Sequence, residues 1–291
     1  MTAAQKTAFI EALRWYQEQG VTDALADAPQ DATAWLNTPP IGAPARSTLP
    51  AKNTGSPAPT LTPAGSNENP QPAFLGVAEA RAEAVRLAAA AQTLEDLKSA
   101  LENFEGFSIK KTATNLVFAD GDPSADIMLV GEAPGADEDR LGRPFVGISG
   151  QLLDKILKTI GLDRHAQEHE ARIYISNILN WRPPGNRNPA PAEIELALPF
   201  IERHIQIAAP KLLLFCGGVS AKALLNAEQG ISRLRGRWHP YTPRTSELAG
   251  LSSGPIPALA VYHPSYLLRT PAQKKHAWSD MLEIQRKIKG L

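Results

Sequence analysis

The chain of 291 residues carries 30 basic and 30 acidic residues, so its net charge indicates neither a polyanionic nor a polycationic partner. Cys216 is its only cysteine, which excludes an internal disulfide and a cysteine-based metal site. Because no apolar run approaches the roughly 18 residues of a membrane span and the N-terminus lacks the apolar core of a signal sequence, we expect a cytoplasmic protein with no membrane partner.

Two segments precede the main domain. Residues 1–36 contain apolar residues at helical spacing and predict a small helical element. Residues 37–75 are dense in Pro, Ala, Ser, Thr and Asn, which predicts a disordered linker. The helical element could dock on the main domain or bind a partner, and the sequence favours neither. We expect the main domain to cover residues 76–291.

In the main domain, short apolar runs alternate with amphipathic segments, which is the pattern of strands separated by helices. The predicted strands lie at residues 127–130, 172–179, 211–216 and 258–262. The predicted helices lie at residues 76–92, 150–160, 192–208, 219–226 and 271–289, with a further helix capped by Thr93. We therefore expect an α/β fold, a three-layer α/β/α sandwich around a central, mainly parallel four-stranded sheet.

Unusual polar residues lie at the ends of three predicted strands. Glu132 and Glu138 follow the first strand, and Phe145 stands just beyond them between a Pro and a Gly. Asn177 lies near the end of the second strand, and His263 follows the fourth. Because the carboxyl ends of parallel strands meet at one edge, these residues are expected to share a cleft. Such a cleft could stack a flat ring and handle a proton or a water.

Each of these residues also has a purely structural interpretation. The acids could form a solvated turn, the Phe could belong to the core, the Asn could cap a turn, and a single His is more often structural than catalytic. Taken alone, each residue would favour that interpretation. The gathering of Gly, Pro, acid and aromatic residues in one strand-end loop favours a functional site instead.

Three segments of the chain carry a resemblance to a known family. They are GEAPGADED (131–139) with GRPFVG (142–147), SNILNWRPPGNRNP (176–189) and VYHPSYLLR (261–269). In order and position they resemble the signature segments of the family-4 uracil-DNA glycosylases, over roughly residues 100–290.

The resemblance implies the uracil-DNA glycosylase fold and a monofunctional hydrolase. Such an enzyme flips uracil out of DNA, hydrolyses its N-glycosidic bond and leaves an abasic site, with other deaminated bases as further candidate substrates. It implies a DNA partner that contains uracil or deaminated bases. We also expect the enzyme to need no cofactor and to act as a monomer.

By resemblance, Asn177 pairs with N3–H and O4 of uracil and rejects cytosine, while Phe145 stacks on the flipped ring. Gly131, Ala133 and Gly135 would belong to the same substrate pocket. In related glycosylases with an Asp-Pro-Tyr motif, the Asp falls at Ala133, and the Tyr that excludes the thymine methyl group falls at Gly135. The resemblance therefore implies a pocket that is less closed against 5-substituted or deaminated bases.

The catalytic residues implied by the resemblance are Glu132, Glu138 and His263. His263 would donate a hydrogen bond to uracil O2, because negative charge develops on the leaving base. Glu132 and Glu138 would activate the attacking water and stabilise the sugar cation. The sequence does not divide these two roles between the carboxylates.

Four residues are predicted to contact DNA. Arg182, Arg187 and Arg269 lie on the motif loops and are candidates for phosphate contacts, although a solvated surface charge is the default interpretation of each. By resemblance, Leu267 enters the gap left by the flipped base from an exposed loop. An ordinary core leucine is an equal alternative.

The chain departs from family 4 where that family has the cysteine ligands of a [4Fe–4S] cluster. The matching positions here hold Phe104, Phe107, Trp181 and Leu196. Because such a cluster needs thiolates, none can form on these residues. We expect packed side chains to fill the corresponding volume.

The main alternative is a protein that binds uracil-containing DNA without turnover. A covalent-trapping branch of the superfamily carries a His near the second motif, and residues 182–192 contain none. A nucleotide-binding α/β domain is a third interpretation. The chain lacks the GxGxxG and GxxxxGK[ST] phosphate loops that this interpretation would need.

Overall fold

The structure is a computed structural model that describes residues 76–248 and 254–290. The helical element predicted at residues 1–36 and the linker predicted at residues 37–75 lie outside the described residues. Within the described ranges, no helix is both long enough and apolar enough to cross a membrane.

One mixed sheet lies at the centre of the described fold. Its strands are β1 (Asp120–Gly121), β2 (Ile127–Gly131), β3 (Tyr174–Asn177), β4 (Leu212–Cys216), β5 (Trp238–Tyr241) and β6 (Ile256–Val261). Their order across the sheet is β1-β3-β2-β4-β6-β5. The four inner strands are parallel and coincide with the four predicted strands. Both edge strands run antiparallel to their neighbours.

The predicted α/β class with a mainly parallel sheet is confirmed, but the sheet has six strands rather than four. β1 has only two residues, which is too short to show any apolar periodicity. β5 contains Pro240 within a basic segment. Proline is tolerated only at sheet edges or bulges, so this strand could be recognised only from its pairing with β6.

Helices cover both faces of the sheet. They are α1 (Val77–Ala90), α2 (Leu94–Asn103), α3 (Ala136–Leu141), α4 (Ile148–Lys158), α5 (Pro191–Ala208), α6 (Gly218–Leu225), α7 (Ile231–Leu234), α8 (Pro264–Arg269) and α9 (Lys274–Ile288). α2 begins at the predicted cap, where the Thr93 hydroxyl accepts the Asp96 amide at 3.1 Å. α3 and α8 lie in segments for which the sequence predicted loops.

Alternate strand residues point into two separate core clusters. Met128 and Val130 of β2 pack with residues of α1, α2 and α5. Ile127 and Leu129 pack with residues of α4 and α9 on the opposite face. Every residue of β2 and β4 is buried, as expected for strands that are covered on both faces. The predicted three layers are therefore present.

The register of the parallel strands brings their carboxyl ends to one edge. Gly131 at the end of β2 pairs with Asn177 at the end of β3. Cys216 at the end of β4 pairs with Val261 at the end of β6. The loops that follow these strands leave the sheet side by side, at the edge where open α/β sheets bind their ligands.

Candidate active site

A cleft of about 400 Å³ opens at this edge of the sheet. Its walls come from the ends of β2, β3 and β6 and from the loop of residues 186–189. The predicted site residues that line it are Glu132, Ala133, Gly135, Glu138, Phe145, Asn177, Arg187, His263 and Arg269. An amide, two carboxylates, an imidazole and a phenyl ring therefore converge on one space.

Gly131 makes room for two residues of the cleft. A Cβ at this position would lie 2.5 Å from Cζ of Phe145 and would overlap Oδ1 of Asn177. Because these separations are far below van der Waals contact, only glycine lets both side chains approach the end of β2 so closely.

Phe145 combines a buried ring with a left-handed backbone, at a φ of 53°. For a bulky residue this conformation costs on the order of 1–3 kcal/mol, and it persists only where the surroundings over-determine it. The ring centroid lies 5.5 Å from that of His263, with the two planes 32° apart. The fold thus fixes an aromatic face beside the imidazole.

Asn177 ends β3 with its side chain 2% exposed. Its Oδ1 atom is buried and has no hydrogen-bond partner among the described residues. Leaving a buried acceptor unpaired costs about 1–3 kcal/mol, so such atoms are rare unless a ligand completes them. The unpaired oxygen matches a ligand that presents an N–H group in the cleft.

Glu138 holds the backbone of the cleft loop. Its Oε1 accepts the amides of Val146 and Gly147, both at 2.9 Å, and its Oε2 accepts the amide of Gly135 at 3.1 Å. Both carboxylate oxygens are therefore engaged by backbone donors. Through these hydrogen bonds, Glu138 links the start of α3 to the segment that carries Phe145.

Glu132 follows β2 and reaches the start of α6, where its Oε1 accepts the Val219 amide at 3.0 Å. Burial raises the pKa of Glu132, while hydrogen bonds from the Val219 and Gly218 amides and the charge of Arg269 oppose this shift. A carboxylate whose pKa is raised is a stronger base, which suits proton abstraction from a water.

His263 is oriented by the first turn of α8. Its Nδ1 accepts the Ser265 amide at 3.2 Å and lies 2.8 Å from the Ser265 hydroxyl oxygen. Because Nδ1 accepts a hydrogen bond, the neutral ring carries its proton on Nε2. Burial and then the charge of Arg269 lower the pKa of His263 to about 4, with Glu138 opposing them. His263 is therefore an uncharged donor at neutral pH.

The three predicted DNA-contacting arginines differ in their surroundings. Arg187 pairs with Glu193, with Nη1 and Oε2 2.8 Å apart. Arg182 donates to Oδ1 of Asn186 at 2.8 Å, and it does not line the cleft. Arg269 lines the cleft and has no ion-pair partner among the described residues. The first two arginines thus stabilise the 182–193 loop, whereas the charge of Arg269 is available to a ligand in the cleft.

The expected exposed position of Leu267 is wrong. Leu267 lies in α8, is 1% exposed and packs in a small core cluster with Tyr262 and Ala277. Pro264 stands at the first position of this helix, where its missing N–H costs nothing. The neighbouring Leu268 is the exposed leucine, at 41%.

Sequence reasoning missed several residues that shape the cleft. Ser265 orients His263, Asn188 lines the cleft, and Gly217 lies against Glu132. Arg164 donates hydrogen bonds to the backbone carbonyls of Pro144 and Phe145. Ser265 belongs to a motif and could have been singled out, whereas Arg164 stands in no motif and is placed only by the tertiary fold.

Known proteins match most of the described chain. Residues 118–282 match the family model of the uracil DNA glycosylase superfamily. The chain is 33% identical over 197 residues to the Type-4 uracil-DNA glycosylase of Archaeoglobus fulgidus, covering 66% of this chain and 92% of that protein. It is 32% identical over 192 residues to the Type-4 uracil-DNA glycosylase of Pyrobaculum aerophilum, covering 65% of this chain and 91% of that protein.

A more distant match is the Type-5 uracil-DNA glycosylase of Thermus thermophilus, at 32% identity over 130 residues, or 42% of this chain and 57% of that protein. Together with the sheet order and the cleft, these matches define the class: the chain belongs to the uracil DNA glycosylase superfamily. The predicted resemblance to its Type-4 members is confirmed.

The residues at the cluster-ligand positions of family 4 do not fit an iron–sulfur cluster. Phe104, Phe107, Trp181 and Leu196 belong to one buried apolar cluster. The rings of Phe104 and Phe107 pack edge to face with centroids 5.1 Å apart. Cys216 is buried in β4, and the described residues contain no group of three or more His, Cys, Asp or Glu side chains that could hold a metal ion.

Proposed function

We propose that this chain is a monofunctional uracil-DNA glycosylase. It flips uracil out of DNA, hydrolyses the N-glycosidic bond and leaves an abasic site. The observation that carries the proposal is the single cleft in which Asn177, Phe145, His263 and Glu132 meet. The printed names of its relatives, Type-4 uracil-DNA glycosylases, support the same substrate.

Base recognition rests on Asn177 and Phe145. The unpaired Oδ1 of Asn177 accepts N3–H of uracil, and the amide nitrogen donates to O4. Cytosine presents an acceptor at N3 and a donor at C4, so it would face this amide with the wrong polarity at both positions. Phe145 supplies the flat surface on which the flipped ring stacks.

Bond cleavage separates C1′ of the deoxyribose from N1 of uracil, and the bonding electron pair leaves with the base. His263 donates from Nε2 to uracil O2, where part of that negative charge collects. Glu132 takes a proton from the water that forms the new C1′–O bond. Its negative charge also stabilises the cationic sugar before the water adds.

Glu138 takes a different part from Glu132 in this proposal. Its two oxygens already accept three backbone amides, so it could activate water only by releasing the loop that carries Phe145. We assign Glu138 to positioning and Glu132 to catalysis.

The base range extends to other deaminated bases in this proposal. Ala133 and Gly135 line the cleft with small or absent side chains. A larger residue at Gly135 would also meet Oε2 of Glu138, which lies 2.7 Å from the position of an added Cβ. These small residues support the proposal that the cleft admits a base with a 5-substituent.

DNA contact rests on Arg269, which lines the cleft, and on Leu268 in the same helix. Arg269, which has no ion-pair partner among the residues that the structure describes, offers its charge to a phosphate. Leu268, one residue beyond the predicted Leu267, is the exposed apolar side chain that fills the gap left by the base. We propose that the enzyme acts as a cytoplasmic monomer.

A substrate panel tests the proposed function. Oligonucleotides that contain uracil, a G·T mispair, hypoxanthine or xanthine are incubated with excess enzyme and then treated with alkali. Strand cleavage at uracil is expected, with slower cleavage at one or more of the other bases. A gel shift on the uracil oligonucleotide with strands that stay intact would mean binding without turnover and would overturn the proposal. Strict selectivity for uracil would overturn the broader base range alone.

A further inference from the structure

The backbone segment that presents Phe145 lies between two buried groups of opposite charge. On one side, the Glu138 carboxylate accepts the amides of Val146 and Gly147, both at 2.9 Å. These donors lie immediately after Phe145 in the chain. Glu138 can only accept hydrogen bonds, so it restrains the N–H groups of this segment but not its carbonyl groups.

Arg164 holds those carbonyl groups from the other side. Its Nη1 donates to the Pro144 carbonyl at 2.8 Å, and its Nη2 donates to the Phe145 carbonyl at 3.1 Å. Two carboxylates orient the guanidinium: Asp154 Oδ1 accepts from Nε and Nη2 at 3.0 and 2.7 Å, and Asp120 Oδ2 accepts from Nη1 at 3.0 Å. With its side chain 3% exposed, this planar fork has a single orientation.

The segment needs such restraint because Phe145 has a φ of 53°. A bulky residue adopts this conformation only where its surroundings enforce it. Gly150 contributes by its missing side chain, since a Cβ there would overlap the Phe145 carbonyl oxygen. The two carbonyl groups that flank the strained residue are the two that Arg164 holds.

We propose that Arg164 is a positioning residue for the flipped base. By holding the carbonyls of Pro144 and Phe145, it fixes the Phe145 ring beside His263 in the orientation that stacks on uracil. This inference rests on the proposed function. Lysine cannot take the same role, because a compact ammonium group does not reach two carbonyls and two carboxylates in one plane.

Arg143 provides a matched control for the charge network. Its Nη2 donates to the same Asp120 oxygen at 3.0 Å, but its side chain is 50% exposed and it makes no hydrogen bond to either carbonyl. Replacing Arg143 therefore disturbs Asp120 without releasing the Phe145 segment. An effect that is specific to Arg164 would come from the carbonyl contacts.

The experiment is a double-mutant cycle on the full chain. Single-turnover excision from a uracil oligonucleotide is measured for wild type, Arg164→Met, Arg143→Met, Phe145→Ala and the Phe145→Ala/Arg164→Met variant, at a temperature where circular dichroism shows each to be folded. Arg164→Met is expected to lower the maximal rate by roughly 10- to 100-fold, and Arg143→Met by less than about twofold. In the Phe145→Ala background, Arg164→Met should add less than about twofold, because the ring that it positions is absent.

Losses that multiply in the double variant, or equal rates for Arg164→Met and Arg143→Met, would overturn the inference. If Arg164→Met does not fold, Arg164→Lys serves in its place and should stay at least about fivefold below wild type. A wild-type enzyme that excises no base would instead remove the proposed function. In that case the affinity of each variant for the uracil oligonucleotide is measured in place of the rate. The variants are expected to rank in the same order, and additive losses of binding free energy would again overturn the role of Arg164.

Discussion

Two ionisable groups in the cleft are held in different states by their surroundings. Burial raises the pKa of Glu132, whereas burial and the charge of Arg269 lower the pKa of His263 to about 4. At neutral pH the imidazole is thus an uncharged donor in the same cleft as a carboxylate of increased basicity. Between pH 6.5 and about 4, His263 is protonated in the unfolded chain but not in the folded one, so its contribution to the free energy of unfolding falls as the pH drops through that window.

Excision is expected to slow as the pH falls through the raised pKa of Glu132, because a protonated carboxyl cannot accept a proton from water. Glu132→Gln should lower the single-turnover rate by roughly 10²- to 10⁴-fold and remove this acid limb. Rates measured between about pH 4 and pH 8 test both points. His263→Gln is the control, since it should slow the reaction but keep the fall in rate at low pH. An unchanged pH profile in Glu132→Gln would contradict the assignment.

At the scale of elements, short helices at the sheet edge hold the catalytic side chains. α6 begins with the amides that hold Glu132, and α8 begins with the Ser265 amide that orients His263. Gly217 joins β4 to α6 at a φ of 108°, and a Cβ there would overlap the Glu132 carboxylate. The backbone at each helix start therefore decides where a functional group lies.

Gly217→Ala is expected to lower the rate of excision by at least roughly tenfold, because the added Cβ displaces the carboxylate. Gly161→Ala is the matched control: its φ of 85° is also positive, but nothing lies within 4 Å of an added Cβ. Both changes should destabilise the fold by about 1 kcal/mol. Thermal unfolding and single-turnover rates separate the two effects, and equal rates in both variants would argue against the role of Glu132.

Leu267→Ala and Leu268→Ala are expected to differ sharply although the two residues are neighbours. Leu267→Ala removes a core side chain and should lower the free energy of unfolding by about 2–5 kcal/mol. Leu268→Ala should change it by less than about 0.5 kcal/mol but slow excision from duplex DNA more than from single-stranded DNA. Urea denaturation and parallel excision assays measure both. A rate loss confined to Leu267→Ala would contradict the corrected assignment.

The elements that could be predicted from the sequence are those whose own residues show a recognisable apolar pattern. The inner strands are continuous apolar runs, and Glu132, Asn177 and His263 stand where such runs end, so both fold class and cleft residues were accessible. β1 and β5 were not, because a two-residue strand and a strand with Pro240 exist only through their partners. Arg164 could not be identified from the sequence for a related reason, because its contacts to residues 144 and 145 depend on the three-dimensional fold.

At the scale of the whole molecule, packed apolar side chains stabilise the fold at the positions where the resemblance to family 4 implied cluster ligands. Phe104 contacts Phe107 and Phe200, with ring centroids 5.1 and 5.3 Å apart, in the core cluster that also contains Trp181 and Leu196. This aromatic cluster packs helices α2 and α5 together and lies on the face of the sheet that carries Met128 and Val130. The cleft at the sheet edge is thereby supported by an apolar core.

Phe104→Ala should lower the free energy of unfolding by about 3–5 kcal/mol, because it opens a cavity in this aromatic cluster. An iron chelator should leave the melting temperature of the wild-type protein unchanged. Differential scanning calorimetry measures both, and Phe118, which is only partly buried, offers a milder Phe→Ala comparison. A fall in melting temperature with chelator would show that a metal contributes to the fold.

The release of free uracil from a uracil-containing oligonucleotide, compared between wild type and Asn177→Ala, tests the central claim most directly. Wild type is expected to release the base and leave an alkali-labile site, and Asn177→Ala to be slower by at least roughly 10²-fold, because the site loses the amide that reads the base. Since Oδ1 of Asn177 has no hydrogen-bond partner among the described residues, the variant should remain as stable as wild type. Equal rates of release, or a wild type that binds the oligonucleotide and releases nothing, would contradict the account.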